Sequence, residues 1–130
     1  MENLNSTMLL ILLALFQYLW FTVKVGISRD KHGVSAPATT GNEIWDRLFR
    51  IQQNTMEQLI IFIPCMLIFA WYVSSKWVLI LGAVYLIGRQ IYSMSYFKDP
   101  KTRTVGMALT LLANALLMLG SLYGVVRSLF

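Results

Sequence analysis

The chain has 130 residues, of which 57% are hydrophobic, with a mean hydropathy of +0.61 and a formal net charge of +5. Apolar residues make up about half of an ordinary soluble domain, so this composition excludes one and indicates a small integral membrane protein. The positive balance does not call for a nucleic-acid partner, because the basic residues cluster at the ends of apolar stretches, where membrane topology accounts for them.

The first stretch, residues 3–23, contains no Asp, Glu, Lys or Arg, and roughly 20 apolar residues are enough to span a bilayer. It has neither a basic leading region nor a small-residue cleavage site before Lys24, so it reads as a retained first span over about residues 5–27, not a signal peptide. Gln17 within it is expected to hydrogen-bond to another helix, and Trp20 to anchor at the interface. The connection SRDKHGVSAPATTGNE reads as an ordered loop that includes His32, with Asn42 or Gly41 capping the next helix. His32 has no partner at zinc-site spacing, so no metal site is expected.

A second helix is predicted over about residues 44–75, and at 1.5 Å per residue it reaches about 48 Å. The hydrocarbon core is only about 30 Å thick, so its first three turns project toward the headgroups. Those turns carry the polar string RLFRIQQNTMEQ, residues 47–58. Cys65 is the lone cysteine and fits apolar packing, while Trp71 and Trp77 fit interface anchors. Residues 77–88 are charge-free but too short to span, so the third span must continue through Arg89, over about 77–97. An arginine inside a span is a functional candidate by default. The basic turn FKDPKTR then leads into a fourth span, about 104–128.

The expected fold is therefore an all-α integral membrane protein, one domain over residues 1–130 with four antiparallel transmembrane helices in a bundle. Lys24, Arg29, Lys31, Arg47 and Arg50 flank connection one, and Arg89, Lys98, Lys101 and Arg103 precede or occupy connection three. By the positive-inside rule both connections face the cytoplasm and both termini lie on the opposite side.

At 100° per residue, Arg47, Arg50, Asn54 and Glu57 share an arc of about 80° on the second helix, and Tyr85, Arg89, Tyr92 and Tyr96 one of about 60° on the third. Both polar stripes belong to the cytoplasmic half and can face one another. Together they offer guanidinium forks, a carboxylate and phenol hydroxyls to a small zwitterionic ligand. Simpler readings stand beside this one. Arg47 and Lys98 also suit headgroup anchors, Arg50 with Glu57 a structural ion pair, and Tyr92 and Tyr96 interfacial aromatics.

The spacing R-x-x-R-x-x-x-N-x-x-E in RLFRIQQNTME, the preceding VSAPATTG and the later GRQIYSMSYFKDPKTR occur in that order. Together they resemble the membrane-associated proteins in eicosanoid and glutathione metabolism. The resemblance covers most of the chain, and is nearest to the branch of leukotriene C synthase, the second and third microsomal glutathione transferases and the five-lipoxygenase-activating protein. It implies a homotrimer with glutathione bound as co-substrate between neighbouring subunits. Carried over by position, it assigns glutathione contacts to Arg50, Gln52, Asn54, Glu57, Tyr92 and Tyr96, with Arg29 reaching in from a neighbouring subunit. It places Arg103 beside the glutathione sulfur as the catalytic residue. Nearby positive charge shifts a free thiol of pKa about 8.5 toward thiolate.

Gln58 stands where leukotriene-synthesising members have a tyrosine, and Asp30 where they have a second arginine. The resemblance thus implies conjugation of other hydrophobic electrophiles or reduction of lipid hydroperoxides. Two other classes compete: a non-catalytic lipid-binding or scaffold member of the same family, and a small drug exporter. The exporter reading requires a carboxylate deep in span one, and residues 3–23 contain none.

Overall fold

The structure is a computed structural model that describes residues 4–130. Four helices are long and apolar enough to cross a membrane: α1 (Leu4–His32), α2 (Glu43–Tyr72), α3 (Trp77–Lys98) and α4 (Thr104–Leu129). A single 3₁₀ turn, Pro100–Thr102, joins α3 to α4. The helices alternate in direction. Val25 and Thr22 of α1 meet Trp45 and Gln52 of α2, so these two run antiparallel. Arg47 at the start of α2 reaches Phe97 and Lys98 at the end of α3. In contrast, α2 and α4 run parallel, with Asn114 bonded to Gln58 and Ser121 to the Cys65 carbonyl.

Helix ends follow local chemistry. The Asn42 side chain accepts the Trp45 N–H at 3.0 Å, a capping bond that opens α2. At the other end, the N–H groups of Val73 and Ser74 both fold back onto the Phe69 carbonyl, so α2 closes at Tyr72, short of the expected residue 75. The Ser74 hydroxyl then accepts from the Lys76 and Trp77 amides and starts α3. One expectation is corrected outright: His32 is the last residue of α1, not part of the loop. No Gly or Pro lies between residue 27 and Gly33, whose φ of +69° is a conformation glycine adopts easily and ends the helix there.

Inside the bundle, an apolar cluster that includes Phe62, Met66, Phe69, Val78, Tyr85 and Leu117 fills the half nearer the second connection. Gln17 bonds the Leu86 carbonyl across helices, as expected for that residue. The outside is apolar as well: Phe16, Ile60, Leu111, Leu119 and Leu122 are all exposed. In water such a surface would be an aggregation hazard; in a bilayer it is the solvent-facing side.

The closest backbone approach lies between α3 and α4. A Cβ on Gly106 would sit 2.4 Å from the Tyr92 nitrogen, and one on Gly88 would sit 2.8 Å from Leu109 Cβ. Small residues at a crossing let two membrane helices pack backbone to backbone. Tyr92 is thereby held directly against the first turn of α4, which begins one residue after Arg103.

Candidate functional site

Above the apolar cluster, the bundle contains a polar layer. Arg89 is fully buried, and its Nη2 donates to Asn54 Oδ1 at 2.8 Å and Thr55 Oγ1 at 3.0 Å. Its Nη1 reaches Thr110 Oγ1 at 3.5 Å, and the guanidinium lies over the Tyr92 ring at 4.4 Å. No carboxylate pairs with it among the described residues, whose ion pairs are Arg47–Glu43 and Arg50–Glu57. A charge inside a bilayer costs about 2.5–3.5 kcal/mol on insertion scales; neutral acceptors from α2 and α4 and a ring face offset that cost here.

The Arg89 bond also sets the orientation of Asn54. With Oδ1 engaged, the amide N–H groups are what Asn54 can offer to the space it lines above. That space is a cavity of about 300 Å³ lined by Arg50, Asn54, Tyr92, Tyr96, Arg103 and Met107. Its size is at the low end of small-ligand sites, roughly 300–1,000 Å³. Tyr92 and Tyr96 are stacked with ring centroids 5.4 Å apart and form one wall. Arg103 stands at its rim as the residue that precedes the first turn of α4, so its guanidinium and the positive end of the α4 dipole act at the same place.

The two sequence stripes therefore meet, though not in full. Arg50, Asn54, Tyr92, Tyr96 and Arg103 converge on the cavity. Glu57 is held at its edge by Arg50, at 3.9 Å, with both side chains about half exposed. Tyr85 leaves its stripe and stacks on Phe62 at 3.8 Å in the apolar core. Arg47 turns the other way and donates to the Phe97 carbonyl at 2.9 Å, capping the end of α3. Gln52 faces α1, bonded to Thr22 Oγ1 at 3.2 Å. Arg29 donates to the Ala38 carbonyl at 2.8 Å and lies over the Trp45 ring at 4.6 Å, tying the first connection to its own chain.

Periodicity on α2 and α3 carries no information about α4, so Met107 and Thr110 did not stand out in the sequence. A second cavity of about 390 Å³, lined by Gln58, Arg103, Thr104, Met107, Ala108 and Leu111, shares Arg103 and Met107 with the first. Its open lining surface is largely apolar, from Met107, Ala108 and Leu111, and Leu111 is widely exposed on the outer face. Gln58 is fixed there by Asn114, which donates to its Oε1 at 3.1 Å. A polar cleft and an apolar one thus adjoin at one guanidinium.

Known proteins share this arrangement of sequence. A human protein named microsomal glutathione S-transferase 2 is 37% identical over 117 residues, covering 90% of this chain and 80% of its own. An uncharacterised protein of the cyanobacterium Synechocystis sp. is 43% identical over 117 residues, covering 90% of this chain and 85% of its own. Leukotriene C4 synthase of Cavia porcellus is more distant, at 29% over 92 residues, covering 71% of this chain and 61% of its own. The profile of the MAPEG family matches residues 7–123, a stretch that contains the whole polar layer and both cavities, and the chain belongs to that family.

Proposed function

We propose that the chain is a membrane-bound glutathione transferase, with peroxidase chemistry open to the same thiolate, acting on hydrophobic electrophiles or lipid hydroperoxides from the bilayer. The observation that carries this reading is the convergence of Arg50, Asn54, Tyr92, Tyr96 and Arg103 on one cavity. Glutathione presents two carboxylates, an ammonium group and a thiol, and the chain offers counterparts for one carboxylate, the ammonium and the thiol around this cavity. Arg50 supplies a fork for a carboxylate, Glu57 a partner for the ammonium, and Asn54 and the tyrosines orienting hydrogen bonds. Arg103, beside the start of α4, faces the sulfur.

The thiol releases its proton to solvent, and the guanidinium stabilises the thiolate left behind. Each unit by which the thiol pKa falls represents about 1.4 kcal/mol of preference for that form. In conjugation the sulfur lone pair forms a C–S bond as the leaving group departs with its electron pair. In peroxide reduction the sulfur attacks the terminal oxygen, the O–O bond breaks to leave a glutathione sulfenic acid and an alkoxide, and the alkoxide takes a proton from solvent to become the alcohol. A second glutathione converts the sulfenic acid to the disulfide and water. The adjoining apolar cleft at Met107, Ala108 and Leu111 takes the hydrophobic co-substrate beside Arg103.

Arg29 and Gln52 lie on the α1–α2 side, away from their own chain's cavity. We place both at the cavity of a neighbouring copy in a homotrimer, with the sites on the cytoplasmic side, a reading that the basic connections support. Calorimetry of glutathione with the detergent-solubilised protein, and turnover with a panel of model electrophiles and hydroperoxides, test the proposal. Saturable binding that Arg50→Ala abolishes is the expected result; a wild-type chain that does not bind glutathione would instead be a scaffold. Arg103→Ala is expected to bind glutathione yet lose roughly 10- to 100-fold of its turnover near neutral pH. The sign is fixed by the thiol: without Arg103 its pKa rises, so activity should recover as pH increases. Full neutral-pH turnover in Arg103→Ala would remove that residue from the chemistry.

A further inference from the structure

A larger cavity lies on the opposite side of α3 from the proposed glutathione site and shares no residue with it. It is a groove of about 750 Å³ between α1, the start of α2 and the end of α3. Its polar end holds Lys24, Arg47 and Lys98; its apolar wall includes Trp20, Phe21 and Met94. A smaller cavity of about 330 Å³ continues from it through Lys24 and Phe97 and adds Lys31.

These cations are poorly neutralised by protein. Glu43 pairs with Arg47 at 3.1 Å, but neither Lys24 nor Lys98 makes an ion pair among the described residues. Lys24 lies over the Trp20 ring, 5.9 Å from its centroid. Arg47 is pinned in place by its bonds to the Phe97 and Lys98 carbonyls at 2.9 and 3.3 Å. Below the cations the wall is mostly apolar and open, with Trp20 57% and Met94 65% exposed, and Gln90 and Ser93 among its polar members.

Positive charge at the helix ends with an apolar trough running toward the bilayer centre matches the order of a phospholipid, phosphate first and acyl chain below. A free anion would make no use of the trough. The homotrimer proposed above uses the Arg29 and Gln52 side of the chain, and neither residue lines this groove. We propose that this groove binds one anionic phospholipid per chain, with its phosphate among Lys24, Arg47 and Lys98 and an acyl chain along Trp20, Phe21 and Met94.

Native mass spectrometry of the delipidated full chain in mild detergent tests this with phosphatidylglycerol, phosphatidylcholine of the same chains, and glycerol 3-phosphate. One phosphatidylglycerol per chain is expected, with phosphatidylcholine roughly tenfold or more weaker and glycerol 3-phosphate not retained. Lys24→Gln with Lys98→Gln should weaken phosphatidylglycerol about 10- to 30-fold, since each surface cation near an anionic lipid contributes on the order of a fivefold factor. The charge-matched pair Lys76→Gln with Lys101→Gln, outside the groove, should leave it unchanged. Met94→Glu, at an exposed position, should abolish retention by putting a carboxylate in the trough. Glutathione affinity should not move in any of these variants, so the outcome is independent of the reading of the other cavity. Equal affinity for the two lipids, an unaffected Lys24/Lys98 variant, an equal loss in the matched pair, or retention of glycerol 3-phosphate would overturn the proposal. A change of oligomeric state in the Lys24/Lys98 variant would overturn it in favour of a subunit contact.

Discussion

At the floor of the cavity proposed to bind glutathione, Arg89 joins three helices through neutral partners, and its removal leaves Asn54 Oδ1 and Thr55 Oγ1 without their donor. An unsatisfied buried polar group costs about 1–3 kcal/mol, so Arg89→Met should lower the thermal midpoint and weaken glutathione binding together. Arg89→Lys separates the two effects. The lysine keeps the charge but cannot span Asn54, Thr55 and Thr110 at once, and so should leave the fold intact while releasing the Asn54 amide. Glutathione affinity is then expected to fall by about tenfold, the loss of one charge-assisted hydrogen bond. Calorimetry beside a melting curve distinguishes these outcomes, and unchanged affinity in Arg89→Lys would mean that Asn54 is oriented without it. Arg89 was visible in the sequence as an arginine inside a span. Its role beneath the cavity, and not in its lining, was not visible, because its partners Thr55 and Thr110 are common residues with no distinctive spacing.

The α3–α4 pair is the element on which the site geometry depends. Gly106 leaves no room for a Cβ, which would lie 2.5 Å from Tyr92 Cα, so any side chain must push the helices apart where both present site residues. Gly106→Ala should cost about 1–3 kcal/mol of stability and reduce glutathione binding by displacing Tyr92 from Arg103. Gly26→Ala is the control: an added Cβ there meets nothing within 4 Å, and alanine favours helix over glycine by about 1 kcal/mol. Gly26→Ala is expected to be neutral or slightly stabilising in a thermal melt, and a Gly106→Ala protein with wild-type affinity would show that the crossing can relax. Helical phase correctly grouped the stripe residues on α2 and α3, but a stripe has a width. Arg47 lies at one edge of it, where a rotation of a few tens of degrees decides between cavity and cap, whereas Gln52, about 140° from Arg47, lies outside the stripe and faces α1.

For the whole molecule, four apolar helices and an asymmetric charge distribution make a multi-pass membrane protein, and the proposed topology can be tested directly. Cys65 is buried, so Ala38→Cys in the first connection would carry the reactive thiol. A membrane-impermeant maleimide should label it only after the membrane is opened, if that connection is cytoplasmic. Labelling in sealed cells would reverse the orientation. Chemical crosslinking in detergent should stop at a trimer, and Arg29→Ala should weaken glutathione binding without altering the subunit that carries Arg103. A monomer that binds glutathione with full affinity would place Arg29 outside the site.

Composition and hydropathy alone determined the membrane class, the number of helices and their alternation, because the thickness of a bilayer and the need to satisfy every backbone group within it leave few choices. Helical phase and motif order also determined which residues share a face. Tertiary structure decided which faces meet. The glycine crossing brings Tyr92 to Arg103, and the buried Arg89 orients Asn54. Arg47, from the same polar string as Arg50, is turned by the α3 carbonyls into the polar end of a separate groove. Those outcomes depend on packing distances of a few ångströms between helices distant in sequence, which no local pattern encodes.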